Sequence, residues 1–346
     1  LDFDEIFPSF IGYYSKQPAG TVTIFNTKNE VYSDIIIEVT SPQLLSNPAK
    51  AVVPIIYPNE VSENFIYFQF NNSVITNSIL EDKEYNVTVT ATYLKGEKSE
   101  KFEKKGKIKV YKLNSISWKD KKHLASFINP SDEILRNFVT SEIIAKTNFV
   151  DNRFSNVPKP ILQAAQIWEY LRQMNLSYVQ DPNSSYEKVS VSEAIDYVQF
   201  PTQTLELKVG DCDDLVTLLS NSLEVIGIET AYIDIPGHVF LAFNTGLNPN
   251  EIEEKGLSHN QVIVKFNKVW FPLESTVIGK NSFVESWNSA TARYLKEQEA
   301  NSAIEIVEIR NAAITYPPIT FPIIKPIVSK VNTEKVKLEI EKDLNS

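Results

Sequence analysis

The chain of 346 residues holds one cysteine, Cys212, in the run Lys208-Val209-Gly210-Asp211-Cys212-Asp213-Asp214-Leu215. Downstream, Leu215, Val216, Leu218, Leu219, Leu223, Val225 and Ile226 recur at helical spacing until Gly227, so the pattern predicts a helix over 212–226 with the cysteine in its first turn. A thiol there is close to backbone N–H groups and the positive helix end. With a cation nearby, such a site lowers a cysteine pKa from ~8.5 into the ~3.5–7.5 range and yields a nucleophile. A lone cysteine is otherwise a small buried apolar residue. Three histidines occur, His123, His238 and His259. The second stands in Pro236-Gly237-His238, a tight turn between a strand predicted over 228–235 and one that His238 opens. Another strand, 261–266, precedes Val269-Trp270-Phe271-Pro272-Leu273, which leads into Glu274; antiparallel pairing would bring Glu274 alongside His238.

Cysteine, histidine and carboxylate in this order, the first on a helix and the others on neighbouring strands, suit papain-like nucleophilic catalysis. The acids Asp211, Asp213 and Asp214 read as a helix cap and first-turn charges. No metal site is expected from them, because Cys212 and His238 without a second cysteine make a poor zinc set, and no cofactor is called for.

Four ordered blocks, Asp196-Tyr197-Val198-Gln199-Phe200-Pro201-Thr202-Gln203-Thr204-Leu205, Gly210 to Leu215, Pro236 to Phe240 and Trp270 to Thr276, resemble the transglutaminase-like superfamily of cysteine hydrolases and acyltransferases, in particular its bacterial members. The resemblance spans roughly residues 160–295. It implies a papain-like α+β core with a catalytic triad: Cys212 as nucleophile, His238 as base and Glu274 orienting the imidazole, where aspartate is usual. Acyl transfer also needs donors for the oxyanion. The Cys212 N–H is one, and the side chain of Gln199 or of Gln203 is the candidate for a second, with the choice left open.

Elsewhere, strand-like alternation at 21–25, 34–39, 51–56, 64–70, 85–93 and 107–111, with a hairpin tip at 95–98, predicts an antiparallel immunoglobulin-like β-sandwich over residues 1–113. Residues 114–300 are assigned to the catalytic domain, opened by a helix after Pro130 with Ser131 as N-cap and by a second helix over 160–174 in which Trp168 is a core residue. Residues 301–346 form a closing strand at 304–309, a segment 316–326 with four prolines in eleven residues that cannot be regular, and a charged helix-prone end. That segment leads back over the catalytic domain or toward a further C-terminal domain.

The formal net charge of −10 argues against nucleic acid as partner, and no apolar run is long enough for a membrane span. Leu1 at the first position suggests a trimmed start. With the acidic composition and the sandwich, it favours an extracytoplasmic bacterial protein, in the envelope or secreted. The expected function is a transglutaminase-like cysteine protease or amidase, a hydrolase acting on protein or peptide substrate through a thioester acyl-enzyme. Two alternatives remain, a cross-linking transferase and a catalytically silent surface adaptor.

Overall fold

The computed structural model describes residues 1–149, 154–181, 186–189, 194–323 and 325–345, with backbone only for Glu187 and Val189. It is a mixed α/β chain with several antiparallel sheets, divided into two compact units, Leu1–Ser115 and Ile116–Ser346.

In the first unit, β1 (Asp2–Phe3), β2 (Gly20–Phe25) and β5 (Val61–Phe65) form one sheet in the order β1-β2-β5. The strands β3 (Tyr32–Thr40), β4 (Ala49–Ile56), β6 (Lys83–Lys95) and β7 (Lys98–Val110) form a second in the order β4-β3-β6-β7. Period-2 alternation sets one face of each strand inward: Ile35, Ile37 and Val39 on β3 and Tyr85, Val87 and Val89 on β6 are buried. Pro54 sits on the edge strand β4, where a missing N–H costs no ladder bond. Two sequence-based expectations are corrected. The strand expected over 64–70 is Val61–Phe65; Ile66 continues its backbone bonding with Ala19 and Gly20, and Ile66 and Phe68 are buried in the core. The strand expected over 107–111 begins at Lys98, because the charged stretch through Lys107 is exposed and shows no apolar alternation to detect.

The second unit is built on an antiparallel five-stranded sheet of β10 (Thr230–Ile235), β11 (His238–Asn244), β12 (Ile263–Lys265), β13 (Lys268–Leu273) and β14 (Glu305–Glu308), in the order β12-β13-β11-β10-β14. Two short strands, β8 (Ser177–Tyr178) and β9 (Val209–Gly210), pair in parallel beside it. The central strands are apolar on both faces: Tyr232, Val239, Phe240, Leu241, Ala242 and Phe243 are all fully buried.

Helices cover this sheet. Glu133–Asn137 (α1) continues into a π-helical stretch, Phe138–Ile144. Its N-cap is Asp132, whose side chain accepts from the Leu135 N–H, while Ser131 uses its own N–H on the Asn129 side chain; the carboxylate, not the expected hydroxyl, reaches the first turn. Lys159–Gln173 (α2) buries Trp168 completely. Pro201–Leu207 (α3) precedes Cys212–Glu224 (α4), of which every residue is buried. Phe283–Glu299 (α5) stacks Trp287 on Phe271 of β13, ring centroids 4.0 Å apart.

Beyond β14 comes a helix the sequence reading lacked, Ile309–Thr315 (α6), followed by irregular chain and then Thr333–Leu344 (α7). The described part of the proline-rich segment 316–326 contains no helix or strand; Ile324 lies outside the described residues. It is tied down by the Ile319 N–H on the Ser126 carbonyl and by Asn129 on Thr320. Among the described residues no helix is long and apolar enough to cross a membrane.

Candidate active site

The tight turn Ile235-Pro236-Gly237-His238 fixes the first element of the site. Ile235 pairs directly with His238, and Gly237 adopts φ 73°, a conformation that favours glycine. The histidine therefore heads β11, on the same face as Phe240. Leu241 pairs with Leu273 of β13, so extending the register by one residue brings Glu274 level with Phe240 and makes it the diagonal neighbour of His238. The Glu274 carboxylate accepts from His238 Nε2 at 2.8 and 3.0 Å.

That carboxylate is held from further sides. Thr276 donates its N–H (3.2 Å) and its hydroxyl (2.7 Å) to Oε1, and Arg293 Nη1 lies 3.7 Å from Oε2. Burial alone would push Glu274 up, but the hydrogen bond and charge of His238, aided by Thr276, hold it below the usual carboxylate value. Because Glu274 fixes the Nε2 side of the ring as the donor, Nδ1 carries the free lone pair.

Cys212 arrives from α4. Its sulfur accepts a hydrogen bond from the Val239 N–H, the residue next to His238, so the helix start and the strand start meet at the site. The turn before it is crowded: a Cβ on Gly210 would lie 2.7 Å from Asp214 Cβ and 3.3 Å from Thr204 Cγ2, which explains glycine there. Gln199 donates its N–H to Asp214 Oδ1 at 2.7 Å, pinning the 196–200 segment to the same first turn.

The electrostatics differ from the sequence expectation in one respect. Cys212 is 4 % exposed, and burial, followed by the Asp211 charge, pushes its thiol well above the ordinary value instead of lowering it. The helix end is outweighed because its acids are buried too. Asp213 is driven up well above the usual carboxylate value, first by burial and then by the neighbouring Asp211. Burial and Asp211 push Asp214 up to about 8. One carboxylate oxygen from each of Asp211, Asp213 and Asp214 lies within 4.8 Å of the others; burial raises all three, and repulsion from Asp211 adds to it at Asp213 and Asp214.

The two glutamines are placed differently. Gln203 Oε1 accepts the Phe200 N–H at 2.8 Å in a capping box that starts α3. Gln199 Oε1 is buried without a partner among the described residues. One site residue escaped the sequence reading: Tyr178 of β8, which pairs with Gly210 and whose phenol feels the charges of Cys212, Asp211, Glu274 and Asp213. Its only sequence signal was an aromatic beside an unremarked two-residue strand. The other histidines are elsewhere in use or exposed: His123 Nδ1 is 2.6 Å from the Ser117 carbonyl and His259 is in an exposed loop. No protein-family model matches this chain, and no curated protein matches it either.

Proposed function

We propose that the chain is a cysteine-dependent acyl-transfer enzyme of transglutaminase-like type, with a papain-like catalytic unit following an immunoglobulin-like sandwich. The observation that carries this reading is the His238 Nε2 contact with the Glu274 carboxylate, beside a Cys212 thiol that interacts with the Val239 N–H and feels the Glu274 charge. In the reaction, Cys212 Sγ attacks the carbonyl carbon of a peptide or amide and its proton passes to His238 Nδ1. The imidazolium is stabilised by Glu274, and the proton is then given to the departing amine. The thioester left on Cys212 is cleaved by water in a hydrolase, or by an amine in a transferase. With burial raising the thiol pKa, proton transfer from Cys212 to His238 accompanies the attack instead of preceding it.

The rival reading, a silent binding module in the bacterial envelope, draws on the same burial of Cys212, since a thiol that never ionises catalyses nothing. The sandwich and the acidic composition support an extracytoplasmic setting under either reading. Incubation with a peptide library, read by mass spectrometry for cleavage and for an acyl adduct on Cys212, tests the proposal. The adduct and the cleavage should vanish in Cys212→Ala, and their absence from the wild type would favour the binding module.

A further inference from the structure

Tyr178 belongs to a strand that joins the turn before Cys212 to the turn after Glu274. On one side, β8 pairs in parallel with β9, Tyr178 opposite Gly210, with the Ser177 N–H on the Lys208 carbonyl and the Val179 N–H on the Gly210 carbonyl. On the other side, the preceding residue pair packs on the turn after Glu274: a Cβ on Gly279 would meet the Leu176 carbonyl oxygen at 2.7 Å and Ser177 Cα at 3.4 Å. The strand is thus wedged two residues from Cys212 on one flank and five residues from Glu274 on the other. Tyr178 is 39 % exposed, against 4 % for Cys212, 7 % for His238 and 2 % for Glu274.

Its hydroxyl makes no hydrogen bond among the described residues, so the phenol carries an unused donor within range of the Cys212 and Glu274 charges. Burial, then the charges of Cys212, Asp211, Glu274 and Asp213, push its pKa up to about 12, which keeps the proton on the oxygen at any working pH. Gln203 uses its amide oxygen on the Phe200 N–H, and Gln199 pins the first turn through its backbone N–H with its side-chain oxygen buried, whereas the phenol of Tyr178 is partly exposed.

We infer that the Tyr178 hydroxyl is the side-chain donor that touches the acyl group of the substrate and stabilises the oxyanion formed when Cys212 attacks. The inference rests on the acyl-transfer reading above. The second donor is the Cys212 N–H. In the step, an S–C bond forms as the carbonyl π pair moves onto oxygen, and the thiol proton goes to His238 Nδ1. Collapse re-forms the carbonyl and expels the leaving group, and the phenol keeps its own proton throughout.

The test compares two reagents on the full chain. p-Nitrophenyl acetate acylates a thiol through a tetrahedral oxyanion and releases p-nitrophenolate, whereas iodoacetamide alkylates by displacement of iodide and forms no oxyanion. Tyr178→Phe should slow the p-nitrophenolate burst by about tenfold to a hundredfold and leave the rate of Cys212 alkylation within about twofold of wild type. Removal of the burst by Cys212→Ala in the wild-type background identifies it as the enzyme's own. An unchanged burst in Tyr178→Phe, or equal losses with both reagents, overturns the Tyr178 role while leaving the acyl-transfer reading in place. No Cys212-dependent burst in the wild type overturns both.

Discussion

His238 donates through Nε2 to the Glu274 carboxylate at 2.8 Å, across a 36-residue separation, and that contact leaves Nδ1 as the imidazole nitrogen with a free lone pair. Glu274→Gln should therefore lower the acylation rate of Cys212 by about a hundredfold or more, since an amide permits the wrong tautomer and cannot balance the imidazolium. Thr276 still holds the side chain, so the thermal midpoint should move by only a few degrees. Burst kinetics and a melting curve on the same preparation measure both, and a loss of stability that matches the loss of rate would count against an orienting role.

The buried thiol should react as a high-pKa group. Its iodoacetamide rate at pH 7 to 8 should fall below that of an ordinary free thiol and still be rising near pH 10. Asp211→Asn, which removes the nearest charge raising the thiol, should increase the rate at pH 8. A plateau reached below pH 7 would instead indicate a preformed thiolate.

Stability should fall as pH rises from about 4 toward 8. Asp214 is pushed up to about 8 in the folded chain, against about 3.9 unfolded. In that window the folded state binds the extra proton, so this contribution is fully present below about pH 4 and is lost as pH climbs through about 8. Each such proton gives a slope of at most about 1.4 kcal/mol per pH unit. Denaturation at pH 5 and at pH 8 should show it, with a flatter profile in Asp214→Asn.

Gly210→Ala should destabilise the second unit by about 1–3 kcal/mol, the usual range for a forced overpacking. The new methyl would meet Asp214 Cβ at 2.7 Å and displace the first turn of α4. Cys212 acylation should drop with it, which denaturant titration and burst kinetics can follow together.

The elements that carry Cys212 and His238 were readable because strong local signals surround them. Apolar spacing from Leu215 to Leu223 marks α4, and Pro236-Gly237 marks the turn that sets His238. Tyr178 was hidden because nothing in a two-residue strand is periodic, and its importance comes from pairing with Gly210, more than thirty positions away. The raised thiol pKa was equally invisible: first-turn acids look solvated in a sequence, and only packing reveals that Asp211, Asp213 and Asp214 are buried. The α6 helix was missed because Ile309–Thr315 lies against a strand and a proline-rich run, and its seven residues are too short to show a period. Ser131 and Asp132 are both good caps by type, so only the hydrogen bond to Leu135 separates them.

The position of β14 has a consequence for biosynthesis. It supplies the outer neighbour of β10, pairing Ile233 with Ile306 and Tyr232 with Val307, yet it leaves the ribosome only after residue 304 has been added. Until then β10, apolar and fully formed in sequence, offers an open edge to any other nascent strand. Chains that stall or are clipped ahead of Glu305 should therefore accumulate as aggregates, and a chaperone or a separate β14 peptide supplied during translation should rescue them.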